Sequence, residues 1–493
     1  MNSIARFLFF SLYLFSLLEA KAQELHLDLF QCIRIASDSS LQALRTKNMY
    51  ESAYWEYRSY RASRLPSVIL NLNPIQYNRN IIPRYDYNEN LDVYRLQQSM
   101  YSSASLSIQQ NFDLTGGIFS FESDLQYLRS YGETIFEQFS TVPLRIGYSQ
   151  SLFGFNNFKW DKKIAPLKYN KATQMLLYQI QEISENTVSA FFDLALAKKE
   201  LEMAQENVLS FDTLYSVGLE LQKISAISLS EILTLELDLI NAQNALENAE
   251  KNLESVEYQF LAFLNLNKNQ SVKLVLPEKK NTITISEEEA LLYAKQNNPN
   301  YLDFKQKILE TEREVERVQK LANFNSQISA SIGFNQSANY FAASYMNPLQ
   351  QSVVSISVNI PILDWGMKKG QLNMAKNNLN ITKITVSQQE VDLEQEILLT
   401  IKDFHLQQER IASAARALQL ANAAYTNVKD RFPIGKSDVN SLILSLNRQK
   451  EAQRNYISTL KYYWLSYFRL QRLTLFNFEK QEHLSDSYFN MIF

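Results

Sequence analysis

The pattern of hydrophobic and polar positions changes abruptly between Ser352 and Leu379. In the first part, apolar residues alternate with polar ones, which predicts a strand with one apolar and one polar face. The apolar set is Val354, Ile356, Val358 and Ile360, and the polar set is Ser355, Ser357 and Asn359. After Pro361 the alternation stops, and a polar run rich in Ala, Lys, Asn and Gln predicts a helix.

This helix is predicted to be far longer than the helices of ordinary globular domains. Asp364 is a suitable N-cap, and the helical pattern continues to about Arg431. Roughly 65 residues at about 1.5 Å each give a length on the order of 100 Å. Such a helix needs neighbouring helices to cover its apolar stripe.

The chain contains two copies of one order of elements. The segments that begin at Leu27 and at Ile285 resemble each other, and each opens a predicted helix of roughly 40 residues. Strands, a long helix, a turn and a closing helix follow in each copy. The predicted divisions are a signal peptide at 1–22, a first repeat at 23–264, an equatorial linker at 265–282, a second repeat at 283–475 and a C-terminal tail at 476–493.

Alternating segments predict two matched strands in each copy. In the first copy they lie in Arg64–Asn73 and Val142–Phe153, and in the second in Ala322–Asn335 and the stretch after Ser352. The segments between them predict loops, and their aromatic residues suit the girdle of a membrane barrel. These residues are Tyr77, Tyr85, Tyr87, Tyr94, Tyr101, Tyr340, Phe341 and Tyr345. Pro166 predicts a kink or a later start for the long helix of the first copy.

The closing helices carry the most regular pattern in the chain. Their apolar positions are spaced alternately three and four residues apart, which predicts a coiled-coil seam. The first seam is Ile232, Leu235, Leu239, Ala242, Leu246, Ala249, Leu253, Val256, Phe260 and Phe263. The second is Val439, Leu442, Leu446, Gln449, Gln453, Tyr456, Leu460, Tyr463, Tyr467 and Leu470, in which two glutamines interrupt the apolar run.

The first 22 residues have the features of a secretory signal peptide. Arg6 precedes an apolar run from Phe7 to Leu18, and Ala20-Lys21-Ala22 matches a small-x-small cleavage site. We expect cleavage after Ala22 and export of the mature chain. The apolar run is too short to span a bilayer.

Composition excludes several classes of function. The formal net charge is −3, which gives no sign of nucleic-acid binding, and glycine occurs 10 times in 493 residues. No nucleotide-binding glycine motif occurs, and His26, His405 and His483 lie far apart in the sequence. The single cysteine, Cys32, allows no disulfide within the chain. The sequence therefore predicts no enzyme, no cofactor and no metal site.

The predicted strands suit a membrane better than water. Each has about 9–11 alternating residues, the length of a tilted transmembrane strand. Ser, Asn and Gln dominate the polar face, as expected in a water-filled lumen. So few strands cannot close a barrel, and an open sheet edge is not stable in lipid. Several chains are therefore expected to pool their strands.

This layout resembles the TolC family of outer-membrane efflux proteins over nearly the whole mature chain. The resemblance rests on the duplicated order of elements and on three motifs, "LPSV", "VNIPILDWGMKKGQLNMAKNNL" and "RFPIGKSDVNSLILSLNRQKEA". It implies an α+β membrane protein with an internal duplication. A periplasmic barrel of long coiled-coil helical hairpins would continue into an antiparallel transmembrane β-barrel shared by a homotrimer in outer-membrane lipid.

The resemblance also implies a function and partners. The chain would be the passive exit duct of a tripartite efflux or type I secretion system, working with a periplasmic adaptor (membrane fusion) protein and an inner-membrane pump. Its location would be the outer membrane, with a large periplasmic extension. A trimeric coiled-coil surface anchor or adhesin that does not conduct is the alternative.

The resemblance places a candidate periplasmic aperture, or adaptor-contact tip, at the second helical turn. The candidates are Arg431, Gly435, Lys436 and Asp438. The alternative is an exposed, solvated turn. At the tips the chain departs from the family pattern in two places: the first tip lacks the usual glycine, and Asn440 and Ser441 stand around the positions where some relatives carry aspartates.

An extra hairpin is predicted between Ser105 and Leu128, with a turn at Thr115–Gly117. Phe119, Phe121, Leu125 and Tyr127 share one parity, and Ser120, Glu122, Asp124 and Gln126 the other. Within the membrane, two added strands would make six per chain, and a trimer would close about 18 rather than 12 strands. The alternative is an extracellular hairpin above a twelve-stranded barrel.

Overall fold

The computed structural model describes residues 25–88, 90–131, 134–223, 227–267, 270, 272–277, 282–322, 324–432, 434 and 436–485. The chain divides into two compact units, each of which draws on both halves of the sequence. We call them the helical unit (residues up to Tyr50, Ala172–Tyr301 and from Glu390 onwards) and the sheet unit (Glu51–Lys171 and Leu302–Gln389). The predicted division into successive repeats, linker and tail stays a prediction.

Helices and strands follow one another in the same general order twice, except that four strands directly precede the long helix of the first series and two directly precede that of the second. The first series is β1 (Leu25–Asp28), α1 (Leu29–Ser39), α2 (Leu41–Ala62), β2 (Ser67–Asp86), β3 (Leu91–Phe112), β4 (Gly117–Tyr131), β5 (Ile135–Ser151), α3 (Asn157–Lys223) and α4 (Leu229–Phe263). The second is β6 (Val272–Val275), α5 (Glu287–Asn297), α6 (Pro299–Ala322), β7 (Asn325–Ala338), β8 (Leu349–Asn359), α7 (Met367–Arg431) and α8 (Val439–Thr474), followed by β9 (Phe476–Asn477) and β10 (Glu482–His483).

The opening helix of each copy is divided in two, where the sequence predicted one long helix. The first divides at Ser40, whose hydroxyl oxygen accepts from the Ala43 amide at 3.1 Å and so caps α2. The second divides at Asn298, which has extended backbone because Pro299 follows it. The apolar periodicity continues across both breaks, so it could not reveal them.

One of the two long helices begins close to its predicted place, and the other does not. Helix α7 starts at Met367, and the Asp364 carboxylate accepts from the Gly366 and Lys368 amides at 3.0 and 3.3 Å. Helix α3 starts at Asn157 and runs through Pro166, so the later start was wrong. Asn156 caps it by accepting from the Lys159 amide at 3.1 Å.

The helical unit contains the predicted seams. All ten positions of each seam are buried or half-buried, while residues beside the first seam, such as Leu233 and Leu237, are exposed. The Gln449 amide nitrogen donates to Asn422 Oδ1 on α7 at 3.0 Å, so this polar interruption is paired. The seams are therefore confirmed.

Two contacts of the helical unit join segments that are distant in sequence. Strand β1 pairs in parallel with β6, so the start of the described chain is tied to the segment between the copies. After α8 the chain forms the small β9–β10 hairpin, where Phe476 stacks on Tyr293 with ring centroids 3.8 Å apart. Among the described residues, no helix is long and apolar enough to cross a membrane.

The sheet unit contains a single six-stranded sheet in the order β2-β3-β4-β5-β7-β8. Every neighbouring pair is antiparallel. Strands β2 and β3 are much longer than predicted, because most of the Tyr- and Asn-rich segment between them is strand. Tyr77, Tyr85, Tyr94 and Tyr101 therefore lie in strands, not in loops.

Candidate channel wall and helical tip

The two faces of the sheet differ sharply in chemistry. Because directly paired residues lie on the same face, the register assigns each side chain to one side. One face carries Val68, Leu70, Leu106, Ile108, Phe119, Phe121, Ile146, Tyr148, Ile328, Ile332, Phe334, Val354, Ile356 and Val358. The other carries Asn71, Ser105, Ser107, Gln109, Ser120, Glu122, Arg145, Ser149, Ser329, Ser331, Ser355 and Ser357. The alternation predicted for single strands thus extends across all six strands over the part of the sheet that these residues cover.

The predicted hairpin is confirmed and belongs to this sheet. Its turn lies between Phe112 and Gly117, and Gly116 has a left-handed backbone with φ of +79°. Strand β3 pairs with β2 along one side, and β4 pairs with β5 along the other. The two predicted sets of residues lie on opposite faces, because Phe119 and Phe121 pair with Gln110 and Ile108, whereas Ser120 and Glu122 pair with Gln109 and Ser107.

The hairpin turn lies at the end of the sheet where the strands join the helices. The Asn156 side-chain amide, just before α3, donates to the Asp113 carbonyl at 2.8 Å. Arg64, just after α2, forms an ion pair with Asp113. The hairpin therefore reaches the helix end of the sheet and is an integral part of it.

The polar face carries an ion pair near its middle. The Arg145 guanidinium donates to Glu122 Oε2 through Nη2 at 2.6 Å and through Nε at 2.9 Å. The two residues are direct partners across β4 and β5. Both side chains are about one-third exposed, so this face is suited to contact with water.

In the helical unit, the two helix-hairpin ends pack together around a small apolar core. We call this core the tip cluster; it consists of Leu235 on α4, Phe432 just after α7, and Val439 and Leu442 on α8. Leu214, Tyr215 and Val217 of α3 pack against it. A Cβ on Gly218 would lie 2.9 Å from Leu235 Cδ1, so glycine permits the close approach of α3 and α4. Both turns are thus held by one core.

Three of the four predicted tip residues are described, and Asp438 has a clear local role. It is the N-cap of α8: its carboxylate accepts from the Ser441 amide at 2.8 Å and from the Ser441 hydroxyl at 2.7 Å. These hydrogen bonds lower the pKa of the Asp438 carboxyl below its usual value. Arg431 ends α7 and its carbonyl accepts from the Lys436 amide at 3.1 Å; both side chains are exposed. Gly435 and Ala22 lie outside the described residues.

The turn between α3 and α4 is followed by a helix cap that the sequence analysis missed. Ser228 and Glu231 form a capping box at the start of α4, in which each side chain accepts from the other residue's backbone amide. Hydrogen bonds from Ser228 lower the pKa of Glu231, whereas the nearby negative charge of Asp438 raises it. The negative charge of one turn is therefore felt at the carboxylate of the other. The Ser-x-x-Glu spacing was a readable signal of this cap.

A charged cluster lies within the helical unit, away from the tip. Arg472 Nε donates to Glu185 Oε1 at 2.7 Å, and its guanidinium also contacts the Tyr178 hydroxyl. The side chains of Arg472 and Glu185 are only 13% and 14% exposed. Burial raises the pKa of the Glu185 carboxyl, although Arg472 opposes this shift. No residue of this cluster had been singled out from the sequence.

The described residues include no metal-binding cluster and one thiol. Among those residues, no group of three or more His, Cys, Asp or Glu side chains could hold a metal ion. Cys32 is buried, and burial raises the pKa of its thiol to about 12.

Comparison with known proteins places the fold. No protein-family model matches the chain, and no curated protein sequence does. The outer-membrane channel CmeC of Campylobacter jejuni matches with a TM-score of 0.65 at 14% identity, over 90% of this chain and 85% of that chain. A membrane protein from Pseudomonas aeruginosa matches with a TM-score of 0.64 at 13% identity, over 90% of each chain.

A third solved structure shows the same likeness. The open state of the Neisseria gonorrhoeae outer-membrane channel MtrE matches with a TM-score of 0.59 at 13% identity, over 90% of this chain and 88% of that chain. At these identities the likeness concerns the fold. The chain therefore has the fold of the TolC-like outer-membrane channels, which confirms the resemblance that its motifs and element order indicated.

Proposed function

We propose that the chain is an outer-membrane exit duct that passively conducts substrates delivered by an inner-membrane pump. In this proposal it works as a homotrimer in outer-membrane lipid, with a large periplasmic extension. A periplasmic adaptor protein joins it to the pump, in a tripartite efflux or type I secretion system. The energy for transport comes from the pump, so the duct itself needs no catalytic site.

The observation that carries this proposal is the two-faced sheet. Its apolar face exposes large side chains, among them Leu70 and Ile356 at 61% and 63% exposure. An apolar surface that extends over six strands is expected to face lipid or another protein, not water. The opposite face is rich in Ser, Asn and Gln and carries the Glu122–Arg145 pair, which suits a wet lumen.

The tip residues belong to the same proposal. We place Arg431, Gly435, Lys436 and Asp438 at the periplasmic aperture or at the contact with the adaptor. Exposure of the Arg431, Lys436 and Asp438 side chains supports this, because they are open to a partner. The alternative is a turn with a purely structural role, and it is supported by the capping of α8 by Asp438.

Fractionation and conductance test the proposed function together. We expect the mature chain in the outer-membrane fraction, as a heat-modifiable trimer in detergent. In planar bilayers the purified trimer should open a stable conductance, because its lumen is water-filled. A monodisperse soluble monomer would contradict the membrane location, and a trimer in the outer membrane without conductance would favour the anchor or adhesin. Co-purification with an adaptor protein tests the partner.

A further inference from the structure

The sheet ends in two edges, and the segments of these edges nearest the helices carry no protection against pairing. Strand β2 forms one edge and β8 the other. Neither Ser67–Asn73 of β2 nor Leu349–Asn359 of β8 contains a charged residue or a proline. Soluble proteins usually guard such edges with lysine, proline or a covering element. Both segments are exposed along most of their length, as expected of strands whose partners lie in other chains.

The two edges are complementary to each other. Neighbouring strands alternate in direction, and because six is an even number, β8 runs opposite to β2. The β2 strand of a second copy can therefore continue the antiparallel order beside β8. Even-numbered residues form the apolar face on both edges, as Leu70 and Ile356 show. Pairing even with even keeps the apolar and polar faces continuous across the junction.

The slope of the sheet selects the register of this junction. From Ser67, direct pairing across the sheet passes through Gln109, Ser120, Gly147, Ser331 and Val353. Strand β8 continues for six more residues, from Val353 to its helix end at Asn359, whereas β2 begins at Ser67. The helix end of the sheet thus shifts by about one residue per strand, the shift that tilted barrel strands require.

We propose that β8 of one copy pairs with β2 of the next, with Ser67 opposite Asn359 and Asn71 opposite Ser355, and that three copies close an eighteen-stranded barrel. This inference rests on the trimer of the proposed function. The shear then equals the number of strands, as in (β/α)8 barrels, where this ratio gives a tilt of about 36°. That value lies within the range of about 35–45° for outer-membrane barrels.

Pro74 limits the length of this junction. It lacks an amide hydrogen and lies at the irregularity between Asn73 and Gln76, so regular edge pairing of β2 ends at Asn73. With Ser67 opposite Asn359, the last regular partner of Asn73 is Val353. Strands 4.8 Å apart at this tilt give a backbone radius of ~17 Å for eighteen strands and ~11 Å for twelve. The duct would therefore have a wide mouth that admits bulky cargo.

Paired cysteines test the register directly. Asn71 and Ser355 are exposed and share the polar face, where introduced thiols meet water and oxidant. The native Cys32 is buried and its high pKa keeps it protonated, so it can remain. Oxidation of the folded N71C/S355C variant in outer membranes should produce a ladder of cross-linked species on non-reducing gels. This ladder should end at a covalent trimer. The single variants N71C and S355C should give no ladder, because the two edges differ.

Two offset pairs serve as matched controls. In N71C/S357C and N71C/V353C the Cα atoms would lie ~8 Å apart, too far for a disulfide. Stronger linking in either pair would overturn the register, and a ladder that stops at the dimer would overturn the eighteen-stranded closure. Absence of linking in all three pairs would overturn edge pairing itself.

Conductance of the N71C/S355C protein, measured before and after oxidation, separates this inference from the proposed function. Conductance without any linking would retain the exit duct and reject the junction. A covalent trimer that shows no conductance would retain the junction and reject the duct.

Discussion

The sheet and the helical seams both use regularly spaced apolar residues, but they leave those residues in opposite surroundings. On the sheet, Val354 and Ile356 are 73% and 63% exposed; in the seams, Leu235 and Leu442 are 0% and 4% exposed. Burial of apolar area is the main favourable term in folding, at roughly 25 cal/mol per Å². The helices obtain this term within their own chain, whereas the sheet leaves it to be supplied by lipid or by another copy.

This difference follows from the spacing of the apolar residues in the helices and in the strands. Spacing of three and four residues places the seam on one stripe of each helix, which the neighbouring helices of the same unit cover. Spacing of two places Val354 and Ile356 on one face of a strand. The sheet cannot cover its own face, so these side chains remain exposed. An exposed apolar face therefore indicates an apolar environment, not a poorly packed domain.

A charge on the apolar face should have the largest effect. Val354→Arg places a cation where the proposal expects lipid, at a cost of about 2–4 kcal/mol per chain near the middle of a bilayer. Because every copy carries the change, we expect loss of the heat-modifiable trimer from the outer membrane. Semi-native electrophoresis of membrane fractions measures this.

The neighbouring residue provides the matched control. Ser355→Arg puts the same side chain on the polar face, one residue along the same strand. We expect this variant to assemble normally and to change only the conductance. Equal behaviour of the two variants would remove the distinction between the two faces.

Breaking the buried ion pair of the helical unit should have the next largest effect. Arg472→Gln removes the hydrogen-bonded cation from Glu185, whose side chain is 14% exposed, and leaves Arg469 acting on it through charge alone. Removal of one partner from a buried pair typically costs about 3–5 kcal/mol. Urea unfolding, followed by the helical signal, should show this loss, and Glu185→Gln/Arg472→Gln should recover part of it.

The pH dependence of this loss has a definite sign. Burial raises the pKa of Glu185 in the folded protein, and loss of Arg472 should raise it further. A raised folded pKa penalises the charged form, so stability falls as pH rises through that pKa. The deficit of Arg472→Gln relative to the native protein should therefore be smaller at pH 5 than at pH 8. A deficit that does not change with pH would reject this cause.

Local patterns in the sequence predicted the seams, the faces of the strands and the hairpin at Thr115–Gly117, because each depends on spacing alone. Strands β2 and β3 were predicted too short, since Tyr77, Pro83 and Tyr94 lie in a segment without clear alternation. The apolar periodicity continues through the breaks at Ser40 and Asn298, although Pro299 was a readable signal of the second break. The β1–β6 pairing and the Arg472–Glu185 contact join distant segments, which no local pattern encodes.

The position of the turn between α7 and α8 was predicted, but the local role of Asp438 was not. The Pro-Gly turn placed Asp438 between two helices, and the structure agrees. Whether its carboxylate faces an aperture or its own helix depends on the backbone at the cap. The hydrogen bonds from Ser441 show that the Asp438 carboxylate faces its own helix.

The smallest expected effect separates these two roles of Asp438. Asp438→Asn keeps a good N-cap acceptor and removes the charge, whereas Asp438→Ala removes both. If the carboxylate helps to close an electrostatic gate, both variants should raise basal conductance and antibiotic leakage, and Arg431→Ala should do the same. If it only caps α8, Asp438→Asn should match the native protein, and Asp438→Ala alone should loosen the start of the helix, as faster hydrogen exchange at Ser441 and Leu442 would show.

The dependence of this helix start on acid pH gives a second readout of the role of Asp438. The lowered pKa means that the capping contribution is present above the unfolded value near 3.9 and is lost as pH falls through the folded value. The native protein should therefore lose protection at this turn in strong acid, while Asp438→Asn should keep it.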